Sequence, residues 1–157
     1  MMTEAIVSDW MTSEVRAVFA SASVREATRT LSEARVGGLP VVDETGRLVG
    51  VFSLTDAGRV LSEGARKDAD DSFYEPAALL QVITEGGSFE PGDFPVAAVM
   101  SRHVISVAPG ATIVAAASKM AEHGVHRVVV VAEDGSLRGI LSALDVCRAV
   151  ARVAAPE

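Results

Sequence analysis

Apolar positions along the chain follow two rhythms. Val24, Ala27, Leu31 and Ala34 recur at spacings of three and four, which predicts a helix over residues 24–35 with a single apolar stripe. Ser23-Val-Arg-Glu26 places a hydroxyl at the N-cap and a carboxylate three residues on, the pattern of a capping box. Gly37-Gly38 is expected to stop this helix. Short, dense apolar runs at 15–19, 39–42 and 48–53 predict strands, the last two joined as a hairpin by the turn Asp43-Glu-Thr-Gly46. A short helical turn over 6–11 precedes them, and a second helix starts after Ser53 and fades near Gly64.

The same order returns further on. Strand 104–107, turn Pro109-Gly110, a helix capped by Thr112 and running to about His123, strands 127–131 and 137–142, and a last helix over 143–153 repeat it. Val146, Ala149, Val150 and Val153 are expected to form the apolar face of that last helix. A shift of 89 residues superimposes 11–56 on 100–145 without a gap and pairs Met11 with Met100, Gly46 with Gly135, Gly50 with Gly139, Ser53 with Ser142 and Asp56 with Asp145. The chain is a duplication, and two copies are too few for an open solenoid, so a closed two-fold pair is expected. The predicted division is repeat one at 6–64, a connector at 65–95 and repeat two at 96–154. Within the connector, 76–84 reads as a short helix and 86–95 as a Gly- and Pro-rich loop.

The chain has 157 residues and a net charge of −7, which argues against a general nucleic-acid binder. No apolar run approaches the length of a membrane span, and the N-terminus lacks the basic-then-apolar order of a signal peptide. Cys147 is the single cysteine, so no intrachain disulfide exists and a cytoplasmic setting is expected. His103, His123 and Cys147 have no metal-ligand spacing, and neither a nucleophile elbow nor a Walker A sequence occurs; the chain reads as a non-enzyme without catalytic residues, catalytic cofactor or metal. The segment TIVAAASKM, residues 112–120, carries small residues on several faces and suggests packing on more than one side.

The strongest chemical signal lies where each hairpin turns into a helix, as GVFSLTD (50–56) and GILSALD (139–145). Ser-x-x-Asp is first of all a capping box, which by itself needs no ligand.

The order strand–helix–strand–strand–helix, the hairpin VGGLPVVDETGRLVGVFSLTD and its repetition resemble a tandem pair of CBS domains. The resemblance implies an α/β (α+β) fold in which two β-α-β-β-α units pack as a pseudo-two-fold pair and leave two clefts. It implies an adenine nucleotide (AMP, ADP or ATP) in a cleft, a homodimer, and a regulatory role read by a separate effector protein. Alternatives within the family are S-adenosylmethionine, NAD or a cyclic dinucleotide, or a ligand-free interaction module. Carried onto this sequence, Asp56 and Asp145 contact ribose hydroxyls, with Ser53 and Ser142 beside the ligand. An ionised carboxylate is an acceptor-only group suited to that task, and the adjacent helix N-terminus favours a phosphate. His126-Arg127 stands where family members contact phosphate, and Arg presents a fork of donors matched to phosphate oxygens. Repeat one has Gly37-Gly38 there, so one strong and one weak site are expected. Val104 and Ser106 are expected along the wall of the base pocket. Val129, in the place of Pro40, frees a backbone N–H that is expected to alter base recognition.

Overall fold

The computed structural model describes residues 5–63 and 91–154. The connector helix expected at 76–84 and the solvated start of the connector lie outside these residues. The described residues form two three-stranded sheets, ordered β1-β2-β3 and β4-β5-β6, and four α-helices. The first set comprises β1 (Val18–Phe19), α1 (Val24–Ala34), β2 (Gly38–Val42), β3 (Leu48–Ser53) and α2 (Leu54–Glu63). The second comprises β4 (Ser106–Val107), α3 (Ile113–His123), β5 (Arg127–Val131), β6 (Leu137–Ser142) and α4 (Ala143–Ala154). The expected α+β fold with two β-α-β-β-α repeats is therefore what the chain adopts.

The chain divides into two compact units that do not follow the repeats end to end. One consists of Met1–Val15, Thr45–Leu48 and His103–Glu157, the other of Arg16–Glu44 and Val49–Arg102. In the first, the leading turn Val7–Asp9 docks onto repeat-two residues: Val7 N–H donates to the Ala111 carbonyl at 2.8 Å and Ile113 N–H to that of Ala5 at 2.9 Å. Val7 is fully buried in a core with Ile113, Ala116, Met120, Val128, Val130, Leu141 and Ala149. In the second unit the matching turn, Val96–Ala98, supplies Val96 to a core with Val24, Ala27, Leu31, Leu39, Val41 and Phe52.

In each unit one of the isolated backbone bridges lies beside a glycine of a hairpin strand. Thr12 and Ile140 exchange N–H···O bonds of 2.9 and 3.0 Å, and Val51 and Ser101 do the same at 2.8 and 2.9 Å. The glycine next to each bridge leaves room for the crossing chain. A Cβ on Gly139 would lie 2.6 Å from the Thr12 carbonyl oxygen, and one on Gly50 2.8 Å from that of Ser101.

The sheets depart from the expected strands at their edges. β1 and β4 have two residues each, because only Val18–Phe19 and Ser106–Val107 pair in parallel with their neighbours. Val104 therefore precedes the strand. The last helix also buries less than its periodicity suggested: Asp145 and Ala149 are its buried residues, whereas Val150 and Val153 are 36% and 42% exposed. Helix α3 buries Ile113, Ala116 and Met120 and leaves Val114 exposed.

Helix α1 ends before Gly37-Gly38, and Gly38 instead opens β2. Its C-cap is Arg35, in the left-handed conformation with φ 53°, where repeat two uses Gly124 with φ 63°. A left-handed non-glycine residue costs roughly 1–2 kcal/mol, and glycine gives back about half of that through its freer unfolded state. Arg35→Gly is thus expected to stabilise the protein by about 0.5–1 kcal/mol, measured by urea denaturation.

Candidate functional site

Strand β6 runs straight into α4, and the join is held by side chains three residues apart. Ser142 donates its backbone N–H and its hydroxyl to Oδ2 of Asp145, at 2.9 and 2.7 Å. Asp145 N–H donates back to Ser142 Oγ at 3.2 Å. This reciprocal pair satisfies donors that a helix N-terminus otherwise leaves open. The second carboxylate oxygen, Oδ1, accepts from Arg148 Nη1 at 3.1 Å. Repeat one is built identically: Ser53 N–H and Oγ both lie 2.9 Å from Asp56 Oδ2, Asp56 N–H is 3.2 Å from Ser53 Oγ, and Arg59 Nη1 is 3.3 Å from Asp56 Oδ1. Both aspartates are buried, at 6% and 9% exposure, and they are the buried charged residues of the described chain.

Burial by itself pushes the Asp145 carboxyl up. The Ser142 backbone and hydroxyl donors and the Arg148 guanidinium outweigh it, so the group titrates below its ordinary 3.8. A folded-state value below the unfolded one contributes stability at pH above 3.8, and this is lost as pH falls through the lowered value. Wild-type protein is therefore expected to lose stability more steeply than Asp145→Asn as pH is lowered below about 4, which denaturant titrations at stepped pH measure.

The β5–β6 register brings the other expected residues to this turn. Arg127 pairs directly with Ser142 across the ladder, and Ala143 N–H donates to the His126 carbonyl at 2.8 Å. Both side chains are exposed. His126, Arg127, Ser142 and Asp145 thus share one end of the second sheet. Ser106 lies on the neighbouring strand, opposite Val129, and Val104 is half-buried two residues before it. In repeat one Leu54 N–H donates to the Gly37 carbonyl at 3.1 Å, so the backbone arrangement is preserved there with no His-Arg pair.

Two features went unread in the sequence. Arg59 and Arg148 lie one turn beyond the aspartates, a spacing that permits an ion pair on a helix. Lys119 on α3 donates to the Ser106 carbonyl at 2.7 Å, which places a cation against the edge strand. The free backbone N–H expected at Val129 is not found. The Val129 N–H is spent on the Ile105 carbonyl at 3.1 Å as part of the β4–β5 ladder, so it is not free to meet a base.

The second unit also carries a partly open pocket of about 240 Å³ lined by Ala20, Asp43, Val49, Ala97, Met100 and Arg102. Ala20 and Asp43 follow the C-terminal ends of β1 and β2, and Val49 stands near the start of β3. The pocket is thus at the opposite end of the sheet from Ser53, roughly 13 Å along the strand.

Among the described residues, no helix is long and apolar enough to cross a membrane. The CBS-domain family model matches residues 7–63 and 96–152. An uncharacterised 33.4 kDa protein in the ribosomal RNA operon of Thermofilum pendens is 32% identical over 155 residues, covering 99% of this chain and 47% of its own length. The gamma-3 subunit of 5′-AMP-activated protein kinase from Bos taurus is 26% identical over 137 residues, covering 87% of this chain and 24% of its own. This chain accordingly spans half or less of these two relatives. Among solved structures, CBSX2 in complex with AMP superimposes with a TM-score of 0.69 at 30% identity, over 95% of this chain and 98% of that one. Two family matches in tandem, on two copies of one fold, place this chain in the CBS-domain family as a CBS pair.

Proposed function

We propose that this protein is a non-enzymatic regulatory module that binds an adenine nucleotide at the start of α4. In this reading Asp145 accepts from the ribose and Ser142 holds that carboxylate in place. His126 and Arg127 face the phosphate, and Val104 and Ser106 flank the base. Ser53 and Asp56 form a weaker second site, because Gly37-Gly38 brings no phosphate donor. The observation that carries the proposal is the β5–β6 register, which sets Arg127 directly beside the Ser142–Asp145 cap. Likeness to an AMP-bound CBS pair at 30% identity supports the choice of ligand. The nucleotide acts by favouring one arrangement of the protein over another, and a homodimer and a separate cytoplasmic effector protein complete the proposed role.

Titration calorimetry with AMP, ADP, ATP and S-adenosylmethionine tests this reading. Saturable binding of a nucleotide, weakened about tenfold by Arg127→Ala, is expected, since a hydrogen bond to a charged group contributes about 1.5–3 kcal/mol. Tight S-adenosylmethionine binding unaffected by Arg127→Ala would redirect the assignment to a ligand without phosphate. Silence with all four, together with no thermal shift, would leave the capping role alone.

A further inference from the structure

The Ser-x-x-Asp carboxylates are already largely occupied, and this bears on how a ribose is received. A carboxylate offers about four acceptor positions, two on each oxygen. On Asp145 both positions of Oδ2 are filled by Ser142, and one position of Oδ1 is filled by Arg148. One acceptor position remains. A single hydroxyl fits without disturbance, but a vicinal diol needs two positions and must displace a donor. The Ser142 donors are the helix cap itself, whereas the Arg148 side chain is 62% exposed and is held to Asp145 by one bond. Arg148 is the donor that leaves at least cost.

We propose that Arg148 is a specificity-determining gate on Asp145, giving up Oδ1 when the 2′- and 3′-hydroxyls of a ribose bind together, and that Arg59 is a tighter gate on Asp56. This rests on the nucleotide reading above and adds to it a competitor built into each repeat. The gates are unequal because of their surroundings. The Arg59 side chain is 26% exposed, less than half the value for Arg148, and the Asp56 side chain is 8% exposed. An ion pair screened by less water is harder to open. The inequality reinforces the difference between His126-Arg127 and Gly37-Gly38, and both favour repeat two as the occupied site.

The test compares AMP with 2′-deoxy-AMP by titration calorimetry on the full chain, as wild type, Arg148→Ala and Arg148→Gln. The deoxynucleotide presents one ribose hydroxyl to the carboxylate and needs no displacement. Removing the gate is expected to tighten AMP binding about two- to fivefold, the range of an exposed ion pair, and to leave 2′-deoxy-AMP unchanged. Arg59→Ala should strengthen the weaker AMP site by a larger factor. Equal changes for both nucleotides in both Arg148 variants would overturn the gate. Weakening of both would overturn it too and would make Arg148 a phosphate ligand. If wild type and variants bind neither nucleotide, the nucleotide reading itself fails and takes the gate with it, an outcome distinct from AMP binding that ignores Arg148.

Discussion

Asp145→Asn is expected to weaken AMP binding by tenfold or more while leaving most of the fold's stability in place. The two effects separate because the two carboxylate oxygens do different work. Oδ2 accepts both Ser142 donors, and an amide oxygen in its place still accepts them, though more weakly without the charge, so most of the helix cap survives. The amide nitrogen then stands where Oδ1 was, and it is a donor. It turns away the donor-only Arg148, which at 62% exposure swings into water at little cost, and it no longer offers a charged acceptor to the proton of a ribose hydroxyl. Loss of a charge-assisted acceptor costs about 1.5–3 kcal/mol in binding, whereas the retained cap limits the stability change to about 1 kcal/mol or less. Asp145→Ala removes both functions and should lose binding and stability together. Calorimetry and urea denaturation on the two variants check this directly. Equal binding losses with no loss of stability in either would show that the aspartate caps nothing.

The second large effect falls on stability. Gly139→Ala is expected to destabilise the protein by about 1–3 kcal/mol, the usual cost of forcing atoms into filled space. The added Cβ meets the Thr12 carbonyl oxygen at 2.6 Å and Met11 Sδ at 2.8 Å. Methionine can move, but the carbonyl cannot withdraw without breaking the paired bonds between Thr12 and Ile140. Gly50→Ala meets the same obstacle in Met100 and the Ser101 carbonyl and should behave alike. Gly110→Ala is the control, because a Cβ there has nothing within 4 Å. Denaturant midpoints for the three variants settle whether the close backbone approach or the mere loss of a glycine matters.

Much of this could be read from the sequence because it is local. A capping box is a spacing of three, and the duplication preserved it twice along with the glycines at 50 and 139. The hairpins were legible for the same reason, their turns lying within a few residues. What escaped depends on the partner across space. Nothing in the local pattern of residues 6–11 says that Val7 is buried with Ile113 and Leu141. The 13-residue separation of Lys119 and Ser106 joins a helix to a strand edge and leaves no periodic trace. Apolar spacing marked Val150 and Val153 as interior, but spacing reports which residues share a face, not whether a neighbour covers it. The helix end near Arg35 was legible, but its left-handed cap was not, because Gly37-Gly38 suit that conformation and Arg35 adopts it instead. At the candidate site the aspartates are visible in the sequence, but the arginines that occupy their second oxygens leave no separate signal, since Ser-x-x-Asp is complete as a cap without them.

Whether an adenine nucleotide is received at the Ser142–Asp145 turn can be read from backbone amide NMR during an AMP titration. Saturable shifts are expected to concentrate at residues 126–127 and 142–148, with smaller shifts at 53–59 appearing at higher concentration. Shifts centred instead on Ala20, Asp43 and Met100, around the pocket at the far end of the first sheet, or no shifts at all, would contradict binding at that turn.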